Sequence, residues 1–117
     1  MANLRMMGPY FLTAAEIDKQ VTGDGCGNYA LVVKDYEGFI RVRYVGRADD
    51  NLKEALKYWL GRTRNPLFKF SYAESPLAAF EKECHSYHDF EPNDNHHHPM
   101  PPARSSWTCP RCVRLGF

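Results

Sequence analysis

Apolar and polar positions along this chain follow two different periods, and the switches between them mark out its elements. Thr13-Ala14-Ala15-Glu16 has the spacing of a capping box and predicts a short helix. Val21 to Gly27 carries three glycines and reads as a connector. Asn28 to Lys34 (NYALVVK) is apolar and β-branched, as a strand requires. Asp35 to Gly38 reads as a turn, and Phe39 to Val45 (FIRVRYV) alternates apolar and basic residues at the period of a half-buried strand. Two such runs joined by a short glycine-containing turn predict a β-hairpin.

Helical spacing takes over at Asn51 to Leu60, where Leu52, Ala55, Leu56, Trp59 and Leu60 fall on one face and Gly61 supplies a stop. Leu67 to Tyr72 predicts a third strand. Ser75-Pro76 is a strong helix start, and that helix is predicted to run to about His88. Pro92, Pro99, Pro101 and Pro102 then argue against regular structure. The order αββαβα plus a tail predicts an α+β fold, a small, mostly antiparallel three-stranded sheet flanked by helices. Residues 1–99 read as the domain and 100–117 as a proline-rich tail.

A length of 117 residues suits one domain with one core. With 44% hydrophobic and 25% charged residues, the chain reads as soluble and ordered. No apolar run reaches the length of a membrane span, and the N-terminus shows no signal-peptide core, so a cytoplasmic location without a membrane partner is expected. The net charge of +1 does not announce a nucleic-acid partner. Its distribution is less even: eight basic residues stand against three acidic ones from Arg41 to Lys69, and acidic residues are in excess on either side. A basic middle of this kind can present one phosphate-facing surface, although a solvated helix face explains it as well.

In a reducing compartment, Cys26, Cys84, Cys109 and Cys112 are expected to be thiols or metal ligands. Cys109-Pro110-Arg111-Cys112 has the CxxC spacing of half a zinc site. Cys84 and His88, four apart on a helix, share one face and would complete a Cys₃His set that pins the tail to that helix by a structural Zn²⁺. Cys26, His85, or one of His96, His97 and His98 would serve as alternatives. The plainer reading makes Cys84 a small core residue and His88 a surface histidine.

Gly27-Asn28-Tyr29 opens the first hairpin strand and Tyr44-Val45-Gly46 closes the second, with the tyrosines fifteen positions apart. Asn51-Leu52 starts the next helix, Ser75, Ala79 and Glu83 follow on the later one, and Asn95 lies twelve residues beyond Glu83. Together these resemble the GIY-YIG nuclease family over about Gly27 to Pro99, and most of all its short bacterial stand-alone members that end in a CPxC pair. The resemblance implies a metal-dependent endonuclease that hydrolyses phosphodiester bonds in DNA. In those terms Tyr29 is the general base or proton relay, and Tyr44 orients water or phosphate. Arg47 supplies a cation that lowers the Tyr29 phenol. Glu83 holds one Mg²⁺ or Mn²⁺, and Asn95 braces the site. His98 precedes Pro99, as in relatives that end Asn-x-x-His-Pro, and on that ground would brace the site near Asn95. Taken singly, each of these residues is an ordinary strand aromatic, surface carboxylate or turn former.

One position departs from the pattern. Relatives carry an arginine three residues after the Asn-Leu pair, where it contacts the scissile phosphate, and this chain has Ala55 there. The resemblance therefore implies a copy impaired at one position. Three origins fit: a single engineered substitution, which an otherwise intact site favours; a natural alanine with Arg62 or Arg47 in its stead; or a domain that has become a binder. A non-catalytic, zinc-containing nucleic-acid-binding module is accordingly the alternative to the nuclease. The sequence leaves the oligomeric state open, a dimer included, since one site cuts one strand.

Overall fold

The computed structural model describes residues 2–114. Its elements run β1 (Met7–Phe11), α1 (Ala14–Gln20), β2 (Gly27–Lys34), β3 (Ile40–Ala48), α2 (Leu52–Tyr58), β4 (Leu67–Tyr72), α3 (Pro76–Phe90) and α4 (Pro110–Arg114). The fold is α+β, as expected, but its antiparallel sheet has four strands in the order β1-β4-β2-β3. The additional strand, β1, contains Gly8 and Pro9, a pair that reads as a chain breaker. Proline is tolerated there because β1 is an edge that pairs with β4 alone, and its register slips between Met7 and Tyr10.

Each of the longer helices starts as its sequence dictates. The Thr13, Asn51 and Ser75 side chains accept the backbone N–H of Glu16, Glu54 and Ala78 at 3.1, 3.0 and 3.1 Å. These satisfy donors that a helix N-terminus otherwise leaves unpaired.

Strand β2 is central, and its apolar run is continuous because both of its faces are covered. On one face Tyr29 and Leu31 join Ile17 and Val21 of the α1 region, Leu52 and Leu56 of α2, and Phe68 and Phe70 of β4. On the other, Ala30 and Val32 join Leu4, Val45 and Leu67, and Tyr87 and Phe90 of α3 pack against them. Leu52 and Leu56 are fully buried, each stabilising the fold by about 1.5–3 kcal/mol. The sheet thus separates α1 and α2 from α3.

The tail is not detached. Trp107 lies against Phe80 with ring centroids 6.0 Å apart, Cys109 is buried beside Phe80 and Cys84, and Arg111 bonds Asp89 at 2.6 Å. Among the described residues no helix is long and apolar enough to cross a membrane.

Candidate functional site

The paired tyrosines meet at the outer edge of the sheet because of one glycine. Tyr29 on β2 stands opposite Gly46 on the edge strand β3. A Cβ at position 46 would lie 2.5 Å from Tyr29 Cζ and 2.6 Å from its hydroxyl oxygen. The phenol therefore crosses the edge strand where only glycine leaves room. The Tyr44 ring stacks on it at 6.2 Å, and Trp59, just past the end of α2, tilts against Tyr44 at 4.8 Å. Trp59 Nε1 donates to the Tyr29 hydroxyl at 2.9 Å. Each of the two phenols also affects the other's ionisation.

Glu83 reaches this edge from the opposite face. It lies on α3, where its Oε1 accepts Arg47 Nη1 at 2.7 Å, and both side chains are nearly buried. Arg47 also bonds Asp49 at 2.9 Å and stacks over Phe80 at 5.2 Å. Burial works against its charge, but the bonds to Asp49 and Glu83 outweigh burial and push its pKa up. Burial raises the Glu83 pKa, and Arg47 offsets only part of that rise. No hydrogen bond joins Glu83 to either phenol among the described residues, yet its charge raises the pKa of both. The three groups therefore share one electrostatic environment around Gly46.

The expectation that Arg47 lowers the Tyr29 phenol is not met, because the guanidinium is occupied by Glu83 and Asp49. Burial, with Tyr44 and Glu83, instead holds Tyr29 well above the ordinary phenol range, against the opposing effect of the Trp59 bond. Burial also raises Tyr44, followed by the charge of Glu83, while its bond with Tyr29 works the other way.

Asn95 closes the open side of β3. Its Oδ1 accepts Val45 N–H at 2.8 Å and its Nδ2 donates to Val45 O at 3.0 Å, while Asp94 N donates to Arg43 O at 2.8 Å. One side chain thus continues the sheet by a residue and covers an edge next to Tyr44. Asn95→Ala is expected to leave both Val45 groups unpaired and to cost about 1–3 kcal/mol in urea unfolding. A midpoint unchanged by the substitution would show that the brace carries no weight. Ala55 lies half-buried against the Tyr29 cluster, on α2 and one turn before Trp59.

A second group of side chains gathers where the tail meets α3. His88, His98, Cys109 and Cys112 place their ligand atoms within 4.8 Å of one another, a set that could hold a metal ion. The Nε2 atoms of His88 and His98 are 3.2 Å apart; His88 Nε2 lies 3.4 Å from Cys109 Sγ and 3.5 Å from Cys112 Sγ, and His98 Nε2 lies 3.5 Å from Cys112 Sγ. The edges of a zinc tetrahedron, with bonds of about 2.0–2.1 Å to nitrogen and about 2.3 Å to sulfur, come to about 3.3 Å for N···N and about 3.6 Å for N···S. His98 Nδ1 lies 2.8 Å from Pro99 O. A carbonyl only accepts, so Nδ1 carries the proton and Nε2 keeps its lone pair toward the group. Burial opposes ionisation of Cys109, but the N–H groups of Cys112 and Arg111, with Cys84, bring its pKa below the ordinary value.

This corrects the expected ligand set at one position. His88, Cys109 and Cys112 come together as the CxxC reading required, but the fourth member is His98 and not Cys84. Cys84 has no exposed surface and packs with Phe80 and Cys109, so it is the small core residue of the plainer reading. Burial and the neighbouring Cys109 push its thiol pKa far up. His98 accordingly faces the tail cysteines.

A cleft of about 580 Å³ opens beside the tyrosines, with Tyr44 and Trp59 in its wall. Sequence reasoning did not anticipate it, because its walls come from the segment after α2 and from the loop around Asn95, which meet only in the fold. Comparison of the chain with protein-family models, with curated proteins and with solved structures finds no match.

Proposed function

We propose that this chain is a metal-dependent endonuclease of the GIY-YIG type, acting on DNA phosphodiester bonds at the edge where Tyr29, Tyr44 and Glu83 meet. The observation that supports the reading best is the crossing of Tyr29 over Gly46. It explains why a glycine-tyrosine pair on one strand faces a tyrosine-glycine pair on the next, and why a carboxylate from the far face can act with both phenols.

Arg47 bonds Oε1 of Glu83, and Oε2 is the oxygen left to hold a hard cation that keeps most of its waters. Mg²⁺ or Mn²⁺ there supplies positive charge for the phosphate and the leaving oxygen. Tyr29, fixed by the Trp59 N–H, keeps its proton at neutral pH and orients Tyr44. Tyr44 lines the open cleft and is the phenol that meets water or phosphate. Asn95 holds the strand that carries Tyr44. Zn²⁺ is the metal we assign to the His88, His98, Cys109 and Cys112 group, where two thiolates and two imidazoles favour it over harder cations.

Incubation with supercoiled plasmid tests this. Slow nicking that requires Mg²⁺ or Mn²⁺ is expected from the chain as it stands. A protein that nicks with neither metal, even after Ala55→Arg, is not a nuclease. DNA binding without cleavage in both forms would favour the alternative, a zinc-containing binding module.

A further inference from the structure

We propose that the cleft beside Tyr44 seats one unpaired nucleotide of the DNA strand next to the bond being cut. The inference rests on the nuclease reading for its substrate and on the cleft for its geometry.

The lining combines an aromatic wall with an excess of positive charge. Tyr44 and Trp59 form a corner, their rings 4.8 Å apart at 57°. The cleft is also lined by Arg43, Arg62 and Arg64, with Asp94 as the one carboxylate. That carboxylate is already engaged, its Oδ2 accepting Asn65 Nδ2 at 2.9 Å. Arg43 reaches Asp94 only at 3.5 Å, and its buried Nε has no partner. Arg62 and Arg64 are exposed. Arg62 lies over the Tyr58 ring at 4.4 Å and donates one N–H to Tyr58 O, so it is held in place with further donors to spare. Guanidinium donors to spare beside two half-buried aromatic rings that line the cleft are what a phosphate and a base require together.

Shape separates a single strand from a duplex. A cleft of about 580 Å³ falls within the size range of small-molecule sites. A base paired inside a duplex presents only its groove edges and cannot enter such a concavity, whereas an unpaired or extruded base can. The cleft is also continuous with the tyrosine site, because Tyr44 and Trp59 belong to both. A nucleotide seated there places its flanking phosphate toward Tyr29 and Glu83. Substrates with single-stranded character beside the cut, such as gaps, flaps or bubbles, are therefore preferred over continuous duplex.

Anisotropy of labelled DNA, measured with the full chain and no added Mg²⁺ or Mn²⁺, tests this without relying on cleavage. A ten-nucleotide single strand is expected to bind about tenfold tighter than the matching duplex, in line with one stacked base. An Arg62→Ala/Arg64→Ala double variant, changed only at exposed positions, should lose about tenfold for the single strand and show a shallower salt dependence. Trp59→Phe, which keeps a ring, should retain most of the strand preference. Free dTMP should compete only at far higher concentration than the strand; competition as strong as the strand's would make the cleft a site for a free nucleotide and overturn the inference. Equal affinity for strand and duplex, or a double variant that binds like the parent, would also overturn it. Plasmid nicking without strand preference removes the cleft proposal and leaves the nuclease. Strand preference without nicking in any metal does the reverse.

Discussion

Replacing Cys109 with serine, or stripping the metal with a chelator, is expected to release the tail and to lower stability by about 4 kcal/mol or more. That figure is the contribution of a metal present at a thousand times its dissociation constant. The chain around the site explains why the loss falls where it does. The segment from Pro99 to Thr108 has little core of its own beyond Trp107 on Phe80, and α4 is a single short turn. Two histidines and two cysteines drawn from α3, the loop after it and the tail have no other reason to crowd within 4.8 Å. Zinc stoichiometry near one per chain, with a melting temperature that falls on chelation, is the expected result. The effect should also reach the tyrosine edge. Phe80 is packed by Trp107 on one side and stacked by the Arg47 guanidinium, which in turn holds Glu83. Chelation followed by an excess of Mg²⁺ should therefore still leave nicking reduced. A purified protein free of zinc, with a melting temperature indifferent to chelator, would show that the four ligands merely pack.

The second large effect is a gain. Ala55→Arg is expected to raise Mg²⁺-dependent cleavage by about 100- to 1000-fold, the usual weight of one electrostatic donor to a developing oxyanion. Position 55 lies on the α2 face that packs against Tyr29, one turn ahead of the indole that fixes the phenol. The two arginines that were candidates to replace the missing group are held elsewhere. Arg47 is bonded by Glu83 and Asp49, and Arg62 is held over Tyr58 in the wall of the outer cleft. Arg47 therefore has no free guanidinium to offer, and the spare donors of Arg62 face the outer cleft. Equal activity with and without the arginine would mean that position 55 is not part of the site.

Periodicity made much of the scaffold legible. β4 spans the residues that its pattern predicts, and α3 starts at the Ser75 cap and runs to Phe90, a little past the expected end. β1 was hidden because Gly8 and Pro9 carry a local signal that the pairing with β4 overrides. The candidate site could be proposed from the sequence as a set of residues but not as an arrangement. Strand parity puts Tyr29 on the sheet face opposite the one that α3 covers with Glu83, and only the bare Cα of Gly46 on the edge strand lets the phenol reach their shared edge. The metal group shows the same limit. Spacing on α3 pointed to Cys84 because it lies one turn from His88, but its direction is set by packing against Phe80. His98 was one of three adjacent histidines, and the choice among them depends on how the loop after Asn95 returns to the tail.

The most direct test compares plasmid nicking by Ala55→Arg with nicking by Ala55→Arg/Glu83→Gln in the same Mg²⁺ buffer. Glutamine keeps the volume of the side chain and one acceptor for Arg47 while removing the negative charge. Loss of nicking to background in the double variant, with zinc content and melting temperature retained, is what a carboxylate acting with two phenols across a glycine predicts. Undiminished nicking without that charge would contradict it.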